Sequence, residues 1–317
     1  MVGAFDRQEG GAVLSTRLLR RTTAAAAPLA ILLLVPLLAL VARPSPATAT
    51  TPACPHPVYA TWAHHGMWSR GAYTVDNDMW NASGYRMSQH LRVCSRARWT
   101  VDAKVANPTG TAVKSYPNTH RDFHNWATGH EPRLSSFHVL RTSWAARTPG
   151  RGIYDAAYDL WLNGVADNNS NEVMIWTDNH RQVPYGRRAG HLWFNHVRWQ
   201  IWTGSGHSYI ALVPGRRLTH GTLGLLKPLR TLVRRGLLPK RTTVGQVGFG
   251  FEIVRTANQR LRFATTRFTV TARRGSPMSA GPDAPDTIER PPLGGIRPDH
   301  RSNRVRAEDR RTHRVRA

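Results

Sequence analysis

Two glutamates could do chemistry because they interrupt apolar, strand-like runs. Glu172 opens the run Glu172–Trp176, and Glu252 lies inside the run Phe249–Val254. An ionised carboxylate among apolar neighbours is costly unless it is paired or faces a cleft. Glutamate is rare here, with three between residues 50 and 274. We therefore interpret Glu172 and Glu252 as a working pair.

A third acid, Asp159, is placed in a similar run. Since side chains alternate along a strand, Asp155, Asp159 and Trp161 should share one face. A carboxyl beside Glu172 would hydrogen-bond to it and hold its charge state, a role that suits Asp159. Asp155 lies nearer the start of the run and could cap a turn. The alternative for all of these acids is pairing with arginines inside the fold.

Two carboxyls together with many tryptophans are typical of a glycosidase. One acid protonates the leaving oxygen while the other attacks the anomeric carbon or activates water, and indole rings stack on sugar faces. All eleven tryptophans fall between Trp62 and Trp202. We expect about half of them to pack in the core instead.

The elements that carry these residues read as short strands separated by Gly, Asn and Pro turns. This pattern predicts an all-β sandwich or jelly roll. The runs that favour strands are Val113–Tyr116, Ile153–Leu162, Glu172–Trp176, Trp199–Trp202, Ser208–Val213, Val244–Val254 and Phe263–Thr271.

One segment follows helical spacing instead. Its apolar positions are Leu225, Leu229, Leu232 and Val233, with Pro228 in the first turn and Gly236 as a stop. We predict a single helix packed on the sandwich.

The two ends of the chain differ from the middle. Residues 1–49 combine arginines, an apolar run and Ala47-Thr48-Ala49, which predicts a cleaved signal peptide and a secreted protein. The alternative is a membrane anchor, for which the apolar run is shorter than the roughly 20 residues that a bilayer needs. Residues 275–317 are rich in Arg and Pro and should form a disordered tail. Residues 50–274 form the predicted catalytic domain. Export to an oxidising compartment makes a disulfide the default for Cys54 and Cys94.

The charge is strongly basic: 44 Lys and Arg against 19 Asp and Glu give +25. Residues 50–274 alone carry 30 basic and 11 acidic residues, a net +19. Such an excess suits an anionic partner. The arginines are scattered among turns and strands rather than collected with aromatics in one stripe, which argues against a nucleic-acid-binding protein. The histidines lack the ligand spacing of a metal site.

Six motifs in order resemble glycoside hydrolase family 12. Glu172-Val173-Met174-Ile175-Trp176 is similar to its nucleophile strand, and Gly250-Phe251-Glu252-Ile253 to its acid/base strand. The other four are given from the N-terminus: Tyr73-Thr74-Val75-Asp76-Asn77-Asp78-Met79-Trp80, Val113-Lys114-Ser115-Tyr116-Pro117-Asn118, Tyr154-Asp155-Ala156-Ala157-Tyr158-Asp159-Leu160-Trp161 and Pro184-Tyr185-Gly186. Cys54 and Cys94 fall where many members have an N-terminal disulfide.

The resemblance implies a β-jelly roll of two curved antiparallel sheets with one packed helix, and an endo-β-1,4-glucanase that retains configuration. It implies that Glu172 is the nucleophile, Glu252 the acid/base and Asp159 a partner of the nucleophile. The substrate-binding residues that it implies are Trp80, Met174, Asp78, Asn77 and Trp176. The carboxyls of a retaining pair lie about 5–5.5 Å apart.

The chain departs from the family pattern at two places. Asp78 stands where the family usually has asparagine, and Val254-Arg255 replaces Trp-Thr. The partner expected is a β-glucan such as cellulose, mixed-linkage glucan or xyloglucan, with no cofactor, no metal, no nucleic acid and no membrane after signal cleavage. The protein is expected to be a monomer. The alternative is a non-catalytic jelly roll that binds carbohydrate or cell wall.

Overall fold

The computed structural model describes residues 53–106, 110–124, 130–167 and 169–275. The predicted signal peptide, residues 1–49, lies outside the described residues, as does the predicted tail 275–317 except for Gly275. The described chain forms two stacked β-sheets, numbered here as strands β1 to β15 in chain order, with one α-helix.

The smaller sheet has six strands in the order β1-β4-β5-β15-β7-β13. Their bounds are β1 Tyr59–Thr61, β4 Met87–Ser95, β5 Arg98–Val105, β15 Leu261–Arg274, β7 Phe137–Arg147 and β13 His220–Gly224. Every neighbouring pair in this sheet is antiparallel.

The larger sheet has nine strands in the order β10-β11-β12-β9-β8-β14-β6-β3-β2. Their bounds are β10 Arg187–Phe194, β11 Val197–Thr203, β12 Tyr209–Pro214, β9 Asn171–His180, β8 Ile153–Leu162, β14 Val244–Arg255, β6 Asn118–Asp122, β3 Tyr73–Asp76 and β2 Met67–Arg70. Its pairs are antiparallel except β12 with β9, which is parallel. The predicted jelly-roll sandwich of two curved sheets is therefore confirmed, with one parallel pair in it.

The main core lies between the sheets and is built by side-chain alternation. On β8 the residues Tyr154, Tyr158 and Leu160 are fully buried there, and Phe249 and Phe251 of β14 join them. Aromatic rings cross the layer edge to face, as they prefer to do. Apolar burial on this scale is what holds the two sheets together.

Six of the seven predicted strand runs are confirmed, and one is wrong. Val113–Tyr116 is not a regular strand; it bridges β14 only at Ser115, which pairs with Ile253. Its backbone also bonds elsewhere, since the Tyr116 N–H donates to the Asp78 carbonyl. This short run, with β-formers Val113 and Tyr116 at its ends, therefore lies beside the sheet without continuing the ladder.

The predicted helix is confirmed as α1, Leu226–Arg234. Leu229 and Leu232 are fully buried in the main core. Gly236 has φ +70, a left-handed conformation that ends helices and favours glycine. In the described part of the chain, no helix has the length and apolar character needed to cross a membrane.

The predicted disulfide is also confirmed. Cys54 and Cys94 are bonded, with their Cα atoms 5.5 Å apart. The bond attaches the segment before β1 to the end of β4, and the structure contains no free cysteine among the residues it describes.

Candidate active site

Strands β9, β8 and β14 lie side by side in the middle of the nine-stranded sheet and present a polar face away from the main core. A second, separate apolar cluster lies on this face and contains Ala157, Met174, Trp176, Tyr209 and Ala211. The faces alternate because successive side chains of a strand point to opposite sides. We call this surface the cleft face.

The cleft face carries the predicted catalytic carboxylates. Glu172 on β9 lies opposite Trp161 of β8, and Glu252 on β14 lies opposite Asp155 of β8. The two glutamates therefore flank β8 from its two sides. Trp161 and Asp155 are six residues apart, an offset of about 20 Å along the strand.

Asp159 lies between the two glutamates along the strand. Its register partners are Met174 on β9 and Gly248 on β14. Met174 is next but one to Glu172 along β9, so Asp159 is a diagonal neighbour of Glu172 within reach of a carboxyl side chain. Both acids are almost completely buried, at 7% exposed for Asp159 and 5% for Glu172.

Asp155 and Glu252 form a carboxyl pair. Asp155 is 0% exposed, and neither of its oxygens accepts an N–H from the described residues. Burial raises the pKa of Asp155 well above its ordinary value, and the charge of Glu252 and a hydrogen bond with it raise it further. Two carboxyls can hydrogen-bond only when one is protonated, so this contact favours a state in which the pair holds one proton.

Tyr116 anchors this group from the irregular segment before β6. Its hydroxyl donates to the Ala157 carbonyl at 2.9 Å. Burial raises the pKa of Tyr116 well above its ordinary value, and four nearby carboxylates add to the effect: Asp159, Asp155, Glu252 and Asp78. The tyrosine therefore stays a neutral donor in the middle of the acids.

A pocket opens on the cleft face beside Glu252. Its walls are Trp80, Asn81, Ala112, Val113, Trp176, Gln182, Val183, Tyr185, Tyr209 and Glu252. Tyr209 pairs with Glu172 in the parallel β12–β9 ladder, so this residue of the pocket wall lies next to the other glutamate. Aromatic walls with a few convergent polar groups are typical of a ligand site.

Glycine at position 250 is required by close packing on the cleft face. A Cβ there would lie 2.3 Å from the Pro117 carbonyl oxygen and 2.6 Å from the Asn118 Cβ. The glycine therefore lets the Pro117–Asn118 segment lie directly against β14 next to Glu252.

Asn77 is not among the residues that line the pocket, and its role in substrate binding stays a prediction. The side chain is 0% exposed, donates to the Ala63 carbonyl at 2.8 Å and accepts from Gln89 at 3.0 Å. These bonds hold the turn after β3 in place.

Asp78 lies beside the cluster of acidic side chains on the cleft face and is not part of the pocket wall. Its backbone has φ +35, and its side chain accepts from Asn118 at 3.5 Å. Burial, with the charge of Asp76 as the second cause, raises the pKa of Asp78 well above its ordinary value. The fold therefore disfavours the charge that distinguishes Asp78 from asparagine.

A histidine and carboxylate cluster lies on the neighbouring strand β6. The ring nitrogens of His120 and His124 lie 3.6 and 3.5 Å from the Asp122 carboxylate. Burial lowers the pKa of His120, against the opposing effect of Asp122. No group of three or more His, Cys, Asp or Glu side chains in the described ranges is arranged to hold a metal ion.

The chain matches the model of glycosyl hydrolase family 12 over residues 71–269, which includes every strand from β3 to β14. This chain belongs to glycosyl hydrolase family 12. It is therefore a glycoside hydrolase.

Solved structures share this fold. A family 12 xyloglucanase from Bacillus licheniformis is 20% identical, with TM-score 0.60 over 68% of this chain and 100% of that one. The xyloglucanase domain of NopAA, an effector from Sinorhizobium fredii solved with cellobiose, is 23% identical, with TM-score 0.58 over 69% and 100%. Endoglucanase cel12A from Rhodothermus marinus is 25% identical, with TM-score 0.57 over 68% and 99%. No curated protein matches the sequence significantly.

The structure brings most of the predicted site residues of this family 12 enzyme to one face. The predicted residues found there are Glu172, Glu252, Asp159, Met174, Trp176 and Trp80. Sequence reasoning missed Gln182, Tyr185 and Tyr209 in the pocket and the pairing of Asp155 with Glu252. For Tyr185, the pattern Pro184-Tyr185-Gly186 indicates a turn and nothing more.

Proposed function

We propose that this family 12 glycoside hydrolase is a retaining endo-β-1,4-glucanase, with Glu172 as nucleophile and Glu252 as acid/base. The observation that supports the proposal most strongly is that the two glutamates occupy one face of one sheet, with the acidic strand β8 between them. A polymer bound on the cleft face would lie over β9, β8 and β14, the strands that carry these carboxyls.

The reaction follows from two carboxyls in different protonation states. The Glu172 carboxylate attacks the anomeric carbon while the protonated Glu252 donates its proton to the departing glycosidic oxygen. This step forms a glycosyl ester on Glu172 and releases the first product. The Glu252 carboxylate then takes a proton from water, and the water oxygen attacks the anomeric carbon and frees Glu172. Configuration is retained because two inversions occur.

Neighbouring groups have defined roles in this scheme. Asp159 orients the Glu172 carboxylate as its diagonal neighbour across β8 and β9. Asp155 shares a proton with Glu252, which keeps a proton available for the leaving group. Trp80 and Trp176 line the pocket and provide flat apolar surfaces for sugar rings.

The substrate class is a β-1,4-glucan: cellulose, mixed-linkage glucan or xyloglucan. Proteins of similar structure include xyloglucanases and an endoglucanase, one of them with cellobiose bound. We also propose that the enzyme is secreted and works as a monomer. The signal-like residues 1–49 and the disulfide Cys54–Cys94 support an oxidising destination.

Hydrolysis tests the proposal directly. The mature protein is incubated with barley β-glucan, xyloglucan and carboxymethylcellulose, and reducing ends are followed beside the variants Glu172→Gln and Glu252→Gln. We expect release by the wild type and a loss of about 100-fold or more in each variant. Equal, negligible release by all three proteins on all three polymers, with retained binding, would favour the non-catalytic carbohydrate-binding alternative.

A further inference from the structure

The charge of this enzyme is divided unevenly along the chain. From Asn179 to Phe251 there is no aspartate or glutamate, although the same stretch contains ten arginines and two lysines. All the acids of the catalytic group lie outside this stretch, from Asp155 to Glu172 and at Glu252. The stretch includes β10, β11 and β12, which form one end of the nine-stranded sheet. These end strands carry three of the arginines, Arg187, Arg188 and Arg198, and no acid, whereas the centre of the sheet is acidic.

Part of this cationic end belongs to the cleft face. On β10 and β11, Leu192 and Trp199 point into the main core. On β11 the residues that alternate with Trp199, among them Arg198 and Trp202, point to the other side of the sheet. On β10 a register shift between Arg188 and His191 brings Arg188 opposite Trp202, on that same side. We call the group Arg188, His191, Arg198 and Trp202 the basic strip. Arg188, His191 and Arg198 are exposed, and Trp202 is half-buried.

Trp202 holds the Arg188 guanidinium in place. The guanidinium carbon lies 5.3 Å from the centre of the indole ring, which is cation–π geometry. Arg198 lies beside His191, with its terminal nitrogen 3.3 Å from the ring Nδ1. None of the ion pairs found among the described residues involves Arg188 or Arg198. A stacked guanidinium keeps its N–H edges available to a planar, bidentate acceptor such as a carboxylate.

The basic strip is in register with the catalytic centre. Arg188 pairs with Trp202, Trp202 with Ala211, Ala211 with Met174, and Met174 with Asp159. Arg188 is thus three strand spacings from Met174, or about 14 Å across the sheet. A polymer that lies across the strands over Met174 would continue over Trp202 to Arg188.

We propose that the basic strip is a subsite for a carboxylate-bearing sugar in the glucan chain or on its branches. The inference rests on the proposed function, because it takes the polymer to lie across β9 and β8. It gives Arg188 and Arg198 a specific role, in which the enzyme selects a glucan that carries uronic acid or another carboxylated unit at one end of the cleft. The acidic centre disfavours that unit at the cleavage position, so the charge also sets the register of the chain.

Affinity electrophoresis in native gels tests the subsite without requiring hydrolysis. The gels contain either neutral β-1,4-glucan or the same glucan partly oxidised to carboxylates at C6, and the affinity ratio of oxidised to neutral polymer is measured. Arg188→Gln should lower this ratio about three- to fivefold at low ionic strength, the range of an exposed ion pair. Arg188→Lys keeps the positive charge but loses the planar, bidentate guanidinium donor, so it should give an intermediate ratio.

Arg141→Gln is the matched control, since Arg141 is an exposed arginine on β7 of the other sheet. It removes the same charge and should leave the ratio unchanged. Sodium chloride at about 0.5 M should bring the wild-type ratio towards one, because charges more than a few ångströms apart are screened from each other at that ionic strength. The proposal is overturned if Arg188→Gln leaves the ratio at the wild-type value, or if Arg141→Gln lowers it equally.

Two further outcomes distinguish a failure of the subsite proposal from a failure of the proposed function. Retention by polygalacturonate, a carboxylated polymer without β-1,4-glucan, equal to retention by oxidised glucan would mean attraction by net charge alone and would overturn the subsite. Reducing-end release from neutral barley β-glucan is measured separately on the wild type. Release with an unchanged affinity ratio refutes only the subsite, whereas no release from any glucan refutes the proposed function.

Discussion

Replacing Asp155 with asparagine should move the alkaline limb of the pH–activity profile to lower pH. In the wild type, the pair Asp155 and Glu252 holds one shared proton, and losing it would place two negative charges side by side. Two unit charges about 4 Å apart repel by about 4 kcal/mol at an effective dielectric constant of 20. That energy corresponds to about three pKa units.

Asparagine removes the repulsion but can still donate a hydrogen bond to Glu252. Glu252 would then lose its proton at lower pH than the pair does. Because water in the pocket screens part of the repulsion, we expect a shift of about one to two pH units in the alkaline limb of kcat/KM. The assay is initial-rate hydrolysis of soluble, neutral β-glucan between pH 4 and 9, with pH values chosen about half a unit apart.

Protein stability gives a second readout of the same substitution. The pKa of Asp155 is raised in the folded state, so the folded protein binds more protons than the unfolded chain above pH about 4. The free energy of unfolding of the wild type should therefore fall as pH rises through the interval above the ordinary Asp155 pKa. Asp155→Asn should flatten this slope.

Asp167→Asn serves as the control because it makes the same change of charge in the loop between β8 and β9. The Asp167 side chain accepts the Asn169 N–H at 3.0 Å, a bond that an asparagine oxygen can also accept. Alkaline limbs that coincide for wild type and Asp155→Asn would refute the shared-proton reasoning. A shift of equal size in Asp167→Asn would refute it as well.

Three other substitutions test the scaffold and the pocket. Replacing Cys54 and Cys94 with serine opens a loop of 40 residues and should lower the free energy of unfolding by about 4 kcal/mol in urea titrations; an unchanged midpoint would contradict this. Leu229→Ala removes a fully buried helix side chain and should cost about 2–5 kcal/mol, against less than about 0.5 kcal/mol for the exposed Arg234→Ala. Trp80→Ala removes a pocket wall and should raise KM about three- to tenfold without lowering the melting temperature; unchanged KM would exclude sugar stacking there.

Local pattern was sufficient to predict the strands that position the site. The runs Ile153–Leu162 and Val244–Val254 both form strands, and Asp155 and Asp159 share one face of the first strand as predicted. The helix at Leu226–Arg234 was equally readable, because its leucines follow a 3.6-residue period and its ends carry Pro and Gly. These features depend on neighbours close in sequence.

Features that depend on pairing between distant strands were not readable. Asp155 looked like a turn cap, but the register of β8 with β14 puts it against Glu252, 97 residues away in the chain. The parallel pairing of β12 with β9 likewise places Tyr209 beside Glu172. Asn77 looked like a sugar ligand, yet Gln89 and the Ala63 carbonyl occupy its side chain. Register is set by the packing of whole sheets, which short patterns do not specify.

Covalent trapping of the nucleophile tests the central claim most directly. The mature enzyme is incubated with an activated 2-deoxy-2-fluoro-cellobioside, which slows hydrolysis of the glycosyl ester, and peptic peptides are analysed by mass spectrometry. We predict one added fluorocellobiosyl group, on the peptide that contains Glu172, and none in Glu172→Gln. Labelling of Glu252 or Asp159 instead would contradict the assigned roles. So would an enzyme that hydrolyses natural glucan and is inactivated by the fluorosugar but carries no label on Glu172.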